Sequence, residues 1–361
     1  MIYYLSKFSD LFSGLNIFRY ITFRSGMAAV TTFLICIIMG PYFIRKLREL
    51  KIGEKVSRAD CPDLDQFHGG KEGTPTMGGL FIVGSIIFSS LLWADLSNRY
   101  VLVTLLTCLW LAILGAVDDY VKLKKIGKRG LSKRVKLAWQ IIVGFLVGTF
   151  AYFDPNMSTK IYFPFFKNLY FDLEIFYIPF VCLVIIGASN AVNLTDGLDG
   201  LAIGCVLIVG MTLAALAYIV GNFKFSQYLF IPYVPGAGEL SIICASIVGA
   251  SLGFLWFNCH PATVFMGDVG SLSLGGTLGV IAILVKEELL LAIVGGVFVI
   301  EAVSVILQIT SFRLTGKRIF KISPLHHHLQ MSGWKESKII IRFWILAIIF
   351  AMIALTTLKV R

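Results

Sequence analysis

Three aspartates offer the most distinctive chemistry in this 361-residue sequence. Asp118 and Asp119 stand side by side in GAVDDYVK, closing an apolar run. Two adjacent carboxylates at a helix C-terminus oppose the macrodipole and each other. A pairing of Asp118 with Lys122 four residues on would supply only a few tenths of a kcal/mol, so the spacing points to a site where a cation or a proton compensates the acids. Asp268, in NCHPATVFMGDVGS, is the only Asp, Glu, Lys or Arg between Glu239 and Lys286. A turn-forming aspartate beside glycines is one explanation. Because no basic partner lies nearby in sequence, a hard divalent cation such as Mg²⁺, its shell completed by phosphate oxygens, is the other.

Polar groups of other kinds collect in three further segments. NAVNLTDGLDG places Asn190, Asn193, Asp196 and Asp199 at intervals of three, so in a helical turn successive members are neighbours and present amides and carboxylates to a polar ligand. Two Asp-Gly turns explain the same residues without a ligand. His326, His327 and His328 follow Ser323 and Pro324, which suit an N-cap and a first helical position. Consecutive residues spread the three rings over about 200° of a helix, so they cannot share one metal from one face, and a phosphate or sugar suits them better. HGGKEGTPTMGG, from His68 to Gly79, is Gly-rich and contains Lys71 and Thr76. It lacks the spacing of a phosphate-binding P-loop, and its last glycines also serve close helix packing. Glu301 lies deep in an apolar run with no partner evident, while Arg342 can snorkel to the membrane surface.

The elements that must position these groups are membrane helices. Hydrophobic residues make up 57% of the chain and charged ones 15%, with a mean hydropathy of +0.83. That excludes a soluble globular enzyme and a disordered chain. The net charge of +11 is dispersed in short clusters, which argues against a nucleic-acid partner. The seven cysteines are odd in number and lack CxxC spacing, so neither a disulfide framework nor a zinc site is expected. No cleavable signal is expected either. A bilayer core needs roughly 20 helical residues, and ten apolar runs of that order occur, at about 22–44, 77–94, 100–117, 137–153, 174–192, 201–221, 239–257, 272–285, 289–312 and 339–358. A β-barrel is excluded because these runs lack inside-outside alternation.

Basic residues fix the expected orientation. Seven lie between Arg45 and Lys71, eight between Lys122 and Lys136, and six between Arg313 and Lys338, so one face holds 21 and the other ten. The positive-inside rule makes the richer face cytoplasmic. The expected fold is therefore an all-α integral membrane protein with about ten transmembrane helices, both termini periplasmic and an active site on the cytoplasmic face. Residues 1–361 form a single polytopic domain with cytoplasmic loops at about 45–76, 118–136, 193–200, 258–271 and 313–338. Lys7, Arg19 and Arg24 count against an outside N-terminus but are outnumbered.

A transporter would explain ten helices and a buried acid, but transporters place coupling residues near the bilayer midplane in broken helices. Here acids, amides, histidines and lysines gather at one face, as in an enzyme that joins a soluble anionic substrate to a lipid. GTPTMGG at 73–79, VDDY at 117–120, NAVNLTDGLDGLA at 190–202, VFMGDVGS at 264–271 and PLHHHLQMSGW at 324–334 occur in this order. In these motifs and nearly end to end, the chain resembles the phospho-N-acetylmuramoyl-pentapeptide-transferases, within the wider group of polyprenyl-phosphate sugar-1-phosphate transferases. The triple histidine favours this family over relatives that use UDP-N-acetylglucosamine.

The resemblance implies a Mg²⁺-dependent enzyme of the bacterial cytoplasmic (inner) membrane, transferring phospho-MurNAc-pentapeptide from UDP-MurNAc-pentapeptide to undecaprenyl phosphate to give lipid I and UMP. Carried onto matching positions, Asp118, Asp119 and Asp268 are catalytic and Asp268 is the metal ligand. Lys71, Thr76, Lys122, Lys133, Asn190, Asn193, Asp196, Asp199, Asn258, Phe265, His326, His327 and His328 bind substrate. Cys259 and His260 stand where the family pattern suggests a Thr-Tyr type pair, and neither receives a role. Asp118 or Asp119 either takes the lipid phosphate's proton or attacks the diphosphate to form an aspartyl-phosphate. The sequence leaves this choice open, as it does the oligomeric state, for which a homodimer is one option.

Overall fold

The computed structural model describes residues 1–10, 12–50, 73–124, 130–166 and 169–359. Long apolar runs become helices because a lipid solvent leaves the backbone no partner but itself. They are α1 (Ile21–Glu49), α2 (Gly79–Trp93), α3 (Arg99–Leu123), α4 (Lys133–Phe153), α5 (Tyr177–Thr195), α6 (Leu201–Val220), α7 (Phe223–Leu229), α8 (Leu240–Asn258), α9 (Gly267–Leu284), α10 (Glu288–Val294), α11 (Gly296–Thr315), α12 (Leu325–Gln330) and α13 (Glu336–Thr357). Among the described residues nine helical segments are long and apolar enough to cross a membrane. The 15-residue α2 is shorter and equally apolar. A two-stranded antiparallel hairpin, β1 (Lys160–Tyr162) with β2 (Tyr170–Asp172), joins α4 to α5.

The bundle is organised around α9. It packs against α3, α5 and α2, while α8 packs against α1 and α6. Within α9, 89% of the apolar window is buried, so its neighbours must approach closely, and glycine allows this. A Cβ on Gly115 of α3 would run into the backbone of Asp268 and Val269. That contact brings α3 against the first turn of α9, and Asp118 and Asp119 lie three and four residues beyond Gly115, about one turn on. Gly115→Ala is expected to push these backbones apart, lowering stability by about 1–3 kcal/mol and turnover several-fold; thermal melting and a transfer assay on one preparation check both.

Four boundaries differ from the sequence expectation. α1 runs on to Glu49 rather than 44 and α3 to Leu123 rather than 117, so Asp118 and Asp119 lie within a helix and not in the loop expected from 118 onward. The eighth span begins at Gly267, not near 272, so Asp268 belongs to a helix's first turn and not to a loop. The motif GDVG reads as a turn, and Gly267 does adopt φ +75°, but the chain is helical from there on. The ninth span is broken into α10 and α11 at Gly295–Gly296, where the glycine pair interrupts the helix.

The end of the bundle away from Asp118, Asp119 and Asp268 is closed by buried ion pairs. Arg24, 1% exposed, forks onto Glu239 with bonds of 2.8 and 2.6 Å. Arg24 is therefore charge-neutralised. Lys286 pairs with Glu288 at 2.6 Å, and Tyr177 donates to the same carboxylate.

Candidate active site

Helix ends from four parts of the chain converge on one cluster. Asp118 and Asp119 come from the end of α3, Lys136 from the first turn of α4, Asn193 from the end of α5 and Asp268 from the start of α9. Carboxylate oxygens of the three aspartates lie within 4.8 Å of one another. Lys136 Nζ bridges Asp118 Oδ2 at 2.7 Å and Asp268 Oδ2 at 2.8 Å. Lys122 Nζ reaches Asp118 Oδ2 at 2.7 Å, Asp268 Oδ2 at 3.0 Å and Asp119 Oδ1 at 3.5 Å. The pairing of Asp118 with Lys122 that looked too weak to matter does form, but as one edge of a five-charge cluster.

Backbone groups complete the cluster. Leu131 N–H donates to Asp118 Oδ1 at 2.7 Å, and Val269 N–H to Asp119 Oδ2 at 3.3 Å. The second bond sets an anion at the N-terminus of α9, where the helix dipole favours it. Asn193 Nδ2 donates to Asp268 Oδ1 at 3.0 Å and to Ser271 Oγ at 2.8 Å. Ser132 caps α4 by accepting from Val135 N–H, which orients the turn that carries Lys136.

Asp268 has no basic partner nearby in sequence. It has two, both delivered across the bundle. Three carboxylates against two ammonium groups still leave one formal negative charge, and the donors are all oxygens. That set suits Mg²⁺, which takes oxygen ligands and binds beside substrate phosphates, so Asp118, Asp119 and Asp268 fit the ion.

Residues 101–286 match glycosyl transferase family 4, and residues 71–83 match signature 1 of phospho-N-acetylmuramoyl-pentapeptide-transferase. The chain is 53% identical over 361 residues, all of its length and 99% of the relative's, to the phospho-N-acetylmuramoyl-pentapeptide-transferase of Citrifermentans bemidjiense. It is 54% identical over 96% of both chains to the enzyme of that name from Geobacter sp. strain M21, and 51% identical over the full length of both chains to that of Syntrophus aciditrophicus. The chain belongs to the phospho-N-acetylmuramoyl-pentapeptide-transferase family.

Among the positions singled out by family resemblance, some join the cluster and others do not. The Gly-rich segment before α2 docks on the segment leading to Asp268: Phe265 N–H donates to Pro75 O at 2.8 Å, Gly78 N–H to Phe265 O at 2.9 Å and Gly79 N–H to Met266 O at 2.8 Å. Thr76 and Phe265 are thereby held beside Gly267 and Asp268. Lys71 lies outside the described residues. Lys133 is exposed at the start of α4, and Lys136, one turn on, is the lysine that enters the cluster. Lys136 was legible only as one of eight basic residues in its loop.

The four residues spaced by three do not share one helix face. α5 ends at Thr195, capped by Asp196, and Gly200, at φ +80°, is already the cap of α6. Asn193 therefore serves Asp268, whereas Asn190 donates to Gln140 and to Ile186 O. Asp196 closes the helix, and Asp199, beyond it, is buried and accepts from Ala262 N–H at 3.0 Å. Asn258, 4% exposed, accepts from Gly200 N–H and donates to Val264 O, so it staples two loops together.

The histidines diverge, as their spread around a helix requires. The helix starts at Leu325, with Pro324 as its cap, one position later than expected. His326 is fully buried, its Nδ1 2.9 Å from Glu301 Oε2 and its backbone N–H 3.1 Å from Oε1. This names the partner that Glu301 lacked in sequence. The far edge of the ring meets Gly197, where a Cβ would collide with Nε2. His327 Nδ1 contacts Gln330 at 2.8 Å, and His328 Nδ1 accepts from Lys321 N–H at 3.2 Å. Glu301→Ala strands a buried imidazole and is expected to destabilise the protein by about 1–3 kcal/mol, with Glu301→Gln losing less; melting temperatures in one detergent check the order.

Proposed function

We propose that this chain transfers phospho-MurNAc-pentapeptide from UDP-MurNAc-pentapeptide to undecaprenyl phosphate, forming lipid I and UMP with Mg²⁺, at the cytoplasmic face of the bacterial inner membrane. The observation that carries this reading is the gathering of Asp118, Asp119, Asp268, Lys122 and Lys136 at one end of an apolar bundle. A transporter has no need of such a cluster away from the midplane. Arg48, Lys124, Arg134 and Arg313, at helix ends on the same side, support a cytoplasmic setting by the positive-inside rule, with both termini then periplasmic and the whole chain read as one polytopic domain.

Two phosphates must meet although both are anionic. Lys122 and Lys136 supply ammonium groups where negative charge collects as UMP leaves. Mg²⁺ held by Asp268 would add charge neutralisation at the diphosphate. The two adjacent acids differ. Asp118 is fully buried and accepts three short bonds, two of them from ammonium groups. Among the described residues Asp119 has the longer contacts of 3.3 and 3.5 Å. We assign Asp118 to holding the lysines and Asp119 to accepting the proton from the lipid phosphate.

Thr76, Asn193 and Phe265 adjoin the cluster and are assigned to the nucleotide, with the basic loop around His326, His327 and His328 facing the bulky sugar-peptide. Sugar recognition of this kind rejects a donor that lacks the bonded groups. When UDP-MurNAc-pentapeptide and UDP-N-acetylglucosamine compete in one assay with undecaprenyl phosphate, only the first is expected to yield lipid product in quantity. Equal use of both would assign the chain to the wider superfamily's chemistry.

A further inference from the structure

A second group of possible ligands lies outside the aspartate cluster and has a different chemistry. Asp199 from the loop after α5, His260 from the loop after α8 and Glu336 at the start of α13 each offer one donor atom, and these atoms lie within 4.8 Å of one another. His260 Nδ1 is 3.2 Å from Asp199 Oδ2 and 3.9 Å from Glu336 Oε2. Ligand bonds of about 2.0–2.2 Å place neighbouring donors roughly 3.0–3.5 Å apart around a tetrahedral or octahedral ion; the 3.2 Å between His260 and Asp199 lies in that range, and Glu336, at 3.9 Å from His260, would have to move in by a few tenths of an ångström.

The shell around these donors is ordered. Glu336 Oε1 accepts from Asp199 N–H at 3.0 Å, and Asp199 Oδ2 also accepts from Ala262 N–H at 3.0 Å. The two acids are nearly buried, with side chains 2% and 10% exposed, while the His260 side chain is 42% exposed. The geometry is therefore fixed on one side and open to incoming ions and water on the other. The neighbouring Cys259 thiol donates to Trp256 O and is not among the donors.

We infer that Asp199, His260 and Glu336 form a site for a borderline divalent cation of the Zn²⁺ or Mn²⁺ class, distinct from the all-oxygen aspartate cluster. Two carboxylates balance the ion's charge, and an imidazole nitrogen turns the preference away from Mg²⁺. Occupation would tie together three segments that are far apart in sequence. The inference rests on donor geometry and stands whether or not the proposed transfer reaction is correct.

Zinc alone is the probe. The full-length protein in detergent, with millimolar Mg²⁺ present to saturate oxygen sites, is dialysed against graded Zn²⁺, and bound metal is measured together with the melting temperature. The intact protein and Asp268→Asn are expected to bind one Zn²⁺ with equal affinity and to melt higher when loaded. His260→Ala is expected to bind at least about tenfold more weakly and to lose the thermal gain. Should His260→Ala fold poorly, Glu336→Gln keeps an acceptor for Asp199 N–H and removes one anionic ligand, so it is expected to weaken Zn²⁺ alone. Equal binding by the intact protein and a folded His260 or Glu336 variant would overturn the site, as would binding lost in Asp268→Asn and kept in His260→Ala.

Discussion

Asp268→Asn is expected to lower turnover at least about a hundredfold, roughly 2.7 kcal/mol of transition-state stabilisation, while the protein stays folded in the membrane. Asp268 Oδ2 is the acceptor shared by Lys122 and Lys136, and Oδ1 receives Asn193. An amide in its place removes the negative charge that holds both lysines in register and supplies only one weak metal donor. The variant should also need more Mg²⁺ to reach its own maximum, because one anionic ligand is gone. Turnover measured across a Mg²⁺ series, with melting temperature as the control for folding, separates this from simple destabilisation. Near-normal turnover in a membrane-inserted variant would remove Asp268 from the catalytic set. Asp118→Asn and Asp119→Asn are expected to fall by a similar factor.

Lys136→Met is expected to cost at least about tenfold in turnover and to weaken the fold at low Mg²⁺. Three cationic side chains, Lys133, Arg134 and Lys136, occupy the first turn of α4, where the dipole disfavours positive charge. Lys136 offsets that cost by bridging two acids at 2.7 and 2.8 Å. Without it, three carboxylates face one ammonium group, and unpaired charge out of water is strongly destabilising. A divalent cation can replace the missing charge, so raised Mg²⁺ should restore stability more fully than activity. Melting curves with and without Mg²⁺ test this, and a variant as stable and active as the parent at every concentration would show that the bridge contributes little.

Local sequence carried the membrane helices well and the long-range pairings poorly. Ten apolar runs were legible because each is set by composition within one stretch, and every one has a helix in the structure. The start of α9 at Gly267 was missed because Gly-Asp-Val-Gly favours a turn as readily as a helix entry. The break at Gly295–Gly296 was hidden by an apolar run that continues on both sides. Asp118, Asp119 and Asp268 stood out as unpaired acids, yet their partner Lys136 lies 132 residues from Asp268 and 18 from Asp118, at separations that no periodicity records. Glu301 and His326 escaped for the same reason, since their bond spans 25 residues between α11 and the basic segment that follows it. His260 was set aside as a departure from the family pattern, and only folding brings it to Asp199 and Glu336.

Release of UMP from UDP-MurNAc-pentapeptide by the purified protein tests the assigned reaction most directly. With both undecaprenyl phosphate and Mg²⁺ present, UMP and a lipid-linked product should appear together in equal amounts, and omission of either addition should abolish both. UMP formed without any lipid acceptor would contradict direct attack by the lipid phosphate and point to an aspartyl-phosphate. No UMP under any condition would contradict the transferase reading and return a transport function to first place.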